Sequence, residues 1–294
     1  MRFAFINRHA EHYPVRLLCE RLRVTRSGYY AYLKRKASAR QQANDELIIA
    51  IKEIYEQSGQ NYGSPRIHRA LGHRNKPCSL GRVKRLMRQE GIYAKLGRKY
   101  KSRKAAKREI EFTENLLIKE QTQITGLNQV WYADITQVKT AEGWLYLAAI
   151  MAAYSRRIVG YAMAEHMKTD LIIQALRMAV KQRGSIKGLI HHSDRGSQYT
   201  SYAFEHELSR QGFRASFTST GACLDNAFIE SFFASLKKDL VYKTSFDTRE
   251  HARSAIFEYI NVTYNRFRLH SSIGYKSPET FEAMNQNGLE LVAA

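Results

Sequence analysis

Three acidic residues stand in settings where a carboxylate needs an explanation. Asp134 sits in the middle of WYADITQV, a segment otherwise patterned as an apolar strand. A charge there is disfavoured and costs desolvation unless it is paired or bound to a cation. Asp194 lies in HSDRGSQY, just past the short apolar run GLIHHS. Loops leaving the carboxyl ends of strands are where α/β sheets usually bind ligands. Glu230 belongs to the helical segment DNAFIESFFASLKKDL. At roughly 100° per residue, Ile229, Phe232, Phe233, Leu236 and Leu240 form its apolar stripe, and Asn226, Glu230 and Lys237 fall within about 40° of one another beside it. Carboxylate oxygens are hard ligands suited to Mg²⁺. Three of them can hold two divalent ions about 3.5–4 Å apart, an arrangement that serves in-line displacement at phosphorus. Such chemistry needs no covalent enzyme intermediate. Each acid also has an ordinary reading: a buried hydrogen-bonded aspartate, a turn residue before Arg-Gly, a solvated helix glutamate. It is their combination that points to chemistry.

The segments around the acids read as an α/β layered sheet. NQVWYADITQVKT, WLYLAAIMAAYS and RRIVGYAMAE predict three consecutive antiparallel strands, with AEGW as the first turn. An amphipathic helix over 169–183, capped by Thr169, follows. Then come the strand GLIHHS, a helix from about Ser201 to Gln211, the strand RASFTS, and helices over 225–240 and 248–265. No proline occurs between Pro77 and Pro278, as suits a regularly built body.

The 294 residues carry 47 Lys+Arg against 27 Asp+Glu, a net charge of +20. Residues 1–110 hold 27 basic and 8 acidic residues (27 − 8 = +19), and the remainder 20 and 19 (+1). This asymmetry predicts a polyanion-binding arm, with nucleic acid as its partner, joined to a nearly neutral body. Solubility alone would not gather the charge on one side. Residues 15–36 read as two short helices around a turn, the first marked by Val15, Leu17, Leu18 and Leu22, the second capped by Thr25 or Ser27. A helix over 45–56 follows. SPRIHRALGH, with Pro65 near its start, and LGRVKRLMRQEGI, capped by Ser79, then form a second pair. Leu80, Val83, Leu86 and Met87 make the buried stripe of that last helix, leaving Arg82, Lys84, Arg85 and Arg88 to face DNA. Residues 95–124 are expected to be a basic linker. The expected division is 1–94 helix-turn-helix DNA-binding region, 95–124 linker, 125–245 catalytic core and 246–294 a basic helical extension of that core.

Cys19, Cys78 and Cys223 make neither a disulfide framework nor a zinc spacing, so a reducing cytoplasm is expected. The sequence has neither a signal-peptide pattern nor a run of ~18 apolar residues, so no membrane association is expected.

The spacing of the acids is specific: Asp134 stands 60 positions before Asp194 (194 − 134), 35 residues separate Asp194 from Glu230, and Lys237 is seven beyond Glu230. This closely resembles the Asp-Asp-Glu transposase and retroviral-integrase superfamily. NQVWYADITQV, GWLYLAAIMAAYSRRIVGYAM, HSDRGSQYTS, DNAFIESFFASLKKD and YNRFRLHSSIGYKSPETF look like OrfB-type transposases of bacterial insertion sequences, and YGSPRIHRAL with GRVKRLMRQEGI looks like the helix-turn-helix region before their core. The resemblance covers essentially the whole chain. It implies a ribonuclease-H-like integrase core, a mixed five-stranded sheet with helices, preceded by an all-α helix-turn-helix region. It implies Asp134, Asp194 and Glu230 as catalytic ligands of two Mg²⁺ ions, replaceable by Mn²⁺, and Lys237 as a contact to transposon-end DNA.

The implied reaction nicks double-stranded DNA at a terminal inverted repeat and uses the freed 3′-hydroxyl to attack target DNA, in a homo-oligomeric synaptic complex. An OrfA partner or fusion is a family habit, and this chain, starting at its own Met1 without a heptad run, looks like the OrfB part alone. Further candidate DNA contacts are Asn226, Gln198 and Tyr199, and a basic cluster of Arg266, Arg268, His270 and Lys276. One of His191 and His192 is expected to orient the Asp194 loop or approach a phosphate, against the ordinary reading of a pair that is half core and half surface. No counterpart of a His-His-Cys-Cys zinc module is present, so no zinc is expected. Two alternatives use the same residues: a nuclease that only hydrolyses DNA, and a non-catalytic DNA-binding regulator.

Overall fold

The computed structural model describes residues 2–34, 38–95, 115–218 and 226–292, with side chains to 285 in the last helix. The first helices are short and end where the sequence supplies turn chemistry. α1 (Arg2–His9), α2 (Val15–Arg21) and α3 (Arg26–Lys34) enclose a small core of Ile6, Cys19 and Tyr29. Thr25 caps α3, its hydroxyl accepting from the Gly28 N–H at 3.1 Å. α1 has no counterpart in the sequence reading, because RFAFINRH carries neither a capping residue nor a clear apolar stripe.

A second helical unit consists of α4 (Ala39–Gln57), α5 (Ser64–His73) and α6 (Leu80–Gln89). α4 starts six residues earlier than the apolar pattern suggests, because Ser38 accepts from the Gln41 N–H and sets the start. Ser79 caps α6 in the same way through the Arg82 N–H at 3.2 Å, and Pro65 sits in the first turn of α5. Ile51, Ile54, Ile67, Leu71, Val83 and Leu86 fill the shared core. Residues 96–114 of the expected linker lie outside the described residues, as does Cys223. The end of that segment is anchored: α7 (Leu116–Lys119) is capped by Asn115, and the Leu116 N–H donates to Ser216 Oγ at 3.1 Å.

The body is an α/β sheet of five strands in the order β3-β2-β1-β4-β5. β1 (Val130–Thr140), β2 (Gly143–Ala152) and β3 (Ile158–Ala164) are antiparallel, while β4 (Ile190–Ser193) and β5 (Arg214–Phe217) run parallel to β1. α8 (Thr169–Arg183) crosses from β3 to β4, and α9 (Tyr202–Arg210) from β4 to β5. Both pack on one face of the sheet with Trp131, Val159 and Phe213. α8 carries no side-chain cap, Thr169 being its first helical residue after Lys168. The opposite face is covered by α10 (Ala227–Leu236) and α11 (Arg249–Glu258), through Ile229, Phe232, Leu236 and Ile256. Both helices continue into π-helical turns, Lys237–Val241 and Tyr259–Phe267. Such turns are rare and often mark functional sites.

α12 (Pro278–Val292), another element the sequence reading lacks, is tied to the body by Glu282. This buried carboxylate accepts from Ser155 Oγ at 2.7 Å, Arg157 Nη1 at 2.8 Å and Arg183 Nη2 at 2.6 Å. The α4–α6 unit is joined to the body by Tyr62, whose hydroxyl donates to the Phe267 carbonyl and accepts from the Leu269 N–H, each at 2.8 Å. Leu269 itself enters the core of the helical unit. No helix among the described residues is long and apolar enough to cross a membrane.

Two consequences are measurable. At Gly160 the strand β3 touches α8 so closely that a Cβ would lie 2.3 Å from the Ala175 carbonyl oxygen and 2.8 Å from the Ala179 nitrogen. Gly160→Ala is expected to cost about 1–3 kcal/mol, read as a lowered midpoint in urea denaturation; an unchanged midpoint would contradict this packing. His191 is fully buried between Phe204 and Tyr199, and burial, reinforced by His192, pushes its imidazole down to about 3. The unfolded chain therefore takes up this proton first. Stability is complete above pH ~6.5 and falls as the pH drops toward 3, by about 2 kcal/mol at pH 5. His191→Phe should flatten the pH 5–7 stability profile by that amount, and an unaltered profile would refute the assignment.

Candidate active site

The parallel pairing of β1 with β4 sets the geometry of the acids. Val130 pairs with Ile190, Trp131 with His191 and Tyr132 with His192, a constant offset of 60. The same offset relates Asp134 to Asp194 two positions further on. Residues two apart on a strand share a face, and adjacent strands lie about 4.7–4.9 Å apart. Asp134 and Asp194 thus leave neighbouring strands side by side, on the face covered by α10. The 60-residue spacing in the sequence is this register.

An aromatic stack fixes α10 above them. Tyr132 meets His192 edge-on at 5.3 Å, and Phe228, in the first turn of α10, lies nearly parallel on Tyr132 at 4.7 Å and 8°. The Arg156 guanidinium caps the stack, 3.9 Å from the Phe228 ring centre, from a backbone with φ of 64°. Below the stack, His192 Nδ1 contacts Ser216 Oγ at 2.9 Å. Asn226 precedes α10, and its amide reaches the Ala133 carbonyl at 3.4 Å. Its own carbonyl accepts from the Glu230 N–H at 3.2 Å. Glu230 is therefore held over the sheet by two residues of its own helix start, while its side chain is exposed.

Electrostatics link the three acids and Lys237. Asp134 is partly buried and its carboxyl is pushed up to about 7, first by burial, then by Asp194, with Glu230 adding to the effect. Lys237 and the Ile135 N–H, which donates to Asp134 Oδ1 at 2.7 Å, oppose the rise. Burial lowers the ammonium of Lys237, and Asp134 partly restores it. Asp194 Oδ1 accepts from the Gly196 N–H at 3.0 Å, which turns the loop back beneath it. Among the described residues no three Asp, Glu, His or Cys side chains are gathered closely enough to enclose an ion. The donor chemistry nevertheless fits a hard divalent cation, since clustered carboxylates with one partly buried ammonium leave negative charge to be neutralised.

The other expected contacts fare differently. Tyr199 is only 2% exposed, turned into the core against Phe204 at 5.6 Å, so its ring is not a surface for DNA. An aromatic in an otherwise polar loop was the signal for such an anchor. Gln198 donates to the Met167 carbonyl at 2.9 Å and ties the Asp194 loop to the start of α8. Asn226 is buried, its Oδ1 without a hydrogen-bond partner among the described residues. It positions α10 rather than facing solvent.

Of the expected basic tail, Arg268 and His270 are withdrawn from solvent, while Arg266 stays exposed. Arg268 is buried in an ion pair with Asp239 and donates to Ser235 Oγ at 2.9 Å. Arg266 pairs with Glu279 at 3.3 Å. His270 packs edge-on against Tyr264, and burial with the nearby Arg268 pushes it down to about 3, so it carries no charge at neutral pH. On α6, Arg85 is exposed with Lys84 and Arg88, whereas Arg82 is half-buried and donates to Asn44 Oδ1 at 2.9 Å. His191 and His192 are both core residues. Tyr132, Phe228 and Arg156, which the sequence reading did not single out for this role, build the floor of the site.

Comparisons with known proteins agree with this architecture. Models of the integrase core domain match residues 125–223 and 230–285, and a model of an HTH-like domain matches residues 42–100. Transposase InsF for insertion sequence IS3A of Escherichia coli (strain K12) is 37% identical over 287 residues, covering 97% of this chain and 99% of that protein. The insertion element IS600 uncharacterized 31 kDa protein of Shigella sonnei is 38% identical over 264 residues, covering 90% of this chain and 97% of that one. Among solved structures, the HTLV-2 integrase catalytic core domain in complex with magnesium has a TM-score of 0.41 at 16% identity, covering 52% of this chain and 95% of that chain. A five-stranded integrase core behind an HTH-like region, shared over nearly the full length with insertion-sequence proteins, means that the chain belongs to the IS3-type DNA transposases.

Proposed function

We propose that Asp134, Asp194 and Glu230 form the catalytic centre of a polynucleotidyl transferase that nicks DNA at a transposon end and joins the freed 3′-hydroxyl to target DNA. The observation that carries this reading is the register that sets Asp134 beside Asp194, with the Asp134 carboxyl pushed up to about 7 among like charges. The three carboxylates would hold two Mg²⁺ ions, with Mn²⁺ as a substitute. When bound, these would supply Lewis acidity and lower the pKa of the attacking oxygen.

The chain's own residues do the rest. Lys237, within electrostatic reach of Asp134, binds a backbone phosphate as a point charge. Asn226 and the Phe228–Tyr132 stack hold α10 so that Glu230 can close on the aspartates. Gln198 fixes the Asp194 loop. In the first displacement a water oxygen bonds to phosphorus, the P–O3′ bond breaks, and the 3′-oxygen leaves as a hydroxyl. In the second that hydroxyl bonds to a target phosphorus, its proton passes to solvent, and one target P–O3′ bond breaks. The number of phosphodiester linkages is unchanged in the second step.

The helical region within residues 1–94 and the basic 95–124 segment would hold duplex DNA through its backbone, ahead of a core over 125–245 and its extension over 246–294. Two ends must be brought together, which calls for a homo-oligomer, with an OrfA partner or fusion supplying further end recognition. The place of action would be the bacterial cytoplasm, at the nucleoid.

Asp134→Asn, Asp194→Asn and Glu230→Gln are each expected to lower joining of a labelled terminal-repeat duplex to target plasmid by ~10²–10³-fold. Asp134→Asn should melt no lower than the parent, because it removes a charge that burial disfavours. Undiminished joining by any of the three would refute the assignment. Nicking without joining would favour a nuclease, and retention of DNA without either a regulator. The Lys84→Ala, Arg85→Ala, Arg88→Ala triple variant should reduce the slope of log K against log salt by about 3, at ~0.9 per phosphate contact. An unchanged slope would remove that face of α6 from the interface.

A further inference from the structure

Beside the acids, between the β1–β2 hairpin and the segment after α10, lies a cleft of about 760 Å³. Its walls carry Gln137, Lys139, Trp144, Lys237, Tyr242 and Thr244. Trp144 is 44% exposed and Tyr242 40% exposed, an arrangement that leaves two large aromatic rings partly in water within one cavity. Two cations share that cavity. Lys237 faces both the cleft and Asp134. Gln137 stands three residues along β1 from Asp134, about 10 Å at strand rise and on the other face of the strand.

The rim is firmly built. The Ala141 N–H donates to the Phe246 carbonyl at 2.9 Å, and the Arg249 N–H to Glu142 Oε2 at 2.8 Å. Arg249 Nε also donates to the Trp144 carbonyl at 3.3 Å. Gly143 holds the hairpin tip at φ of 114°, where a Cβ would press on Arg249 Nη2 at 3.1 Å. Neither aromatic is therefore on a loose loop.

We propose that this cleft is a subsite for an unpaired nucleotide of the DNA strand flanking the reacting phosphate. Trp144 and Tyr242 stack on the base, and Lys139 and Lys237 hold the backbone. Aromatic faces interleaved with cations are the pattern that binds single strands without reading sequence. The volume is that of a small-ligand pocket, roughly 300–1,000 Å³, and admits a nucleotide or two rather than a duplex. This inference rests on the reading of the acids as a centre that acts on DNA, since that reading brings a DNA strand across Lys237.

The chain offers its own probe. Its other tryptophan, Trp131, is fully buried, so a stacking base can quench Trp144 alone. Full-length protein titrated with a short single-stranded oligodeoxythymidylate should lose tryptophan emission. A blunt duplex of equal length should quench less. Trp144→Phe should abolish the signal, and Tyr242→Ala should raise the Kd read from quenching ~10-fold, with unchanged circular dichroism.

No quenching by the single strand, equal quenching by the blunt duplex, or an unaltered Kd in a folded Tyr242→Ala variant would overturn the subsite. If that variant does not fold, the parent's response to the two DNAs decides. Joining activity measured on the same preparation separates the two ideas. Joining without quenching sinks the subsite alone, and quenching without joining sinks the transfer reading while keeping the cleft.

Discussion

The repulsion between a carboxylate on β1 and one just past the end of its parallel neighbour β4 is the constraint around which this molecule is arranged. Register brings β1 and β4 together as far as Tyr132 and His192, two residues before the aspartates, which interact electrostatically, and register in a sheet buried on both faces cannot slip by one residue without turning every core side chain outward. The like charges push Asp134 toward its protonated form. A fold selected only for stability would not keep that pair. Such a pair within a firmly packed sheet is what the proposed cation centre would require.

The surrounding structure serves to hold that centre in place. Phe228 on Tyr132, with Arg156 above and His192 below, fixes the angle at which α10 crosses the sheet. Glu230 is the group left exposed over the aspartates, at the start of a helix whose remaining apolar side chains are committed to the core. The π-helical turn that begins at Lys237 then places an ammonium where it faces both Asp134 and the neighbouring cleft. Next to that turn, Tyr62 bridges the backbone of Phe267 and Leu269, and Lys243 meets Asn61, which seats the α4–α6 unit on the body. The exposed cations of α6 thereby acquire a defined position relative to the acids.

Much of this was legible in the sequence, for identifiable reasons. The three antiparallel strands announced themselves through long apolar runs, and Ser79 and Pro65 marked helix starts by chemistry that is local. The 60-residue offset between the aspartates is a sheet register written into the chain. Tertiary facts were not legible. Tyr199 looks like a loop residue ready for DNA, yet an aromatic side chain gains more by joining Phe204 in the core. Arg268 looks like a basic tail, yet Asp239, 29 residues away in the chain, takes it into a buried pair. α1 lacks the cap and stripe that pattern reasoning needs, whereas α12 carries a local start signal, Ser277 accepting from the Thr280 N–H at 3.3 Å ahead of Pro278, and only its tie to the body through Glu282 is tertiary. The stack beside the acids joins residues from four separate segments, which no spacing rule connects.

The central claim, that three remote carboxylates act as one cation centre on DNA, is tested most directly by manganese binding. Electron paramagnetic resonance of Mn²⁺ can be recorded on the full-length protein saturated with a terminal-repeat duplex. Saturable binding is expected in the parent, with a marked loss of affinity when any one of the three acids is replaced by its amide. Binding of equal strength in the parent and in all three amide variants would contradict it.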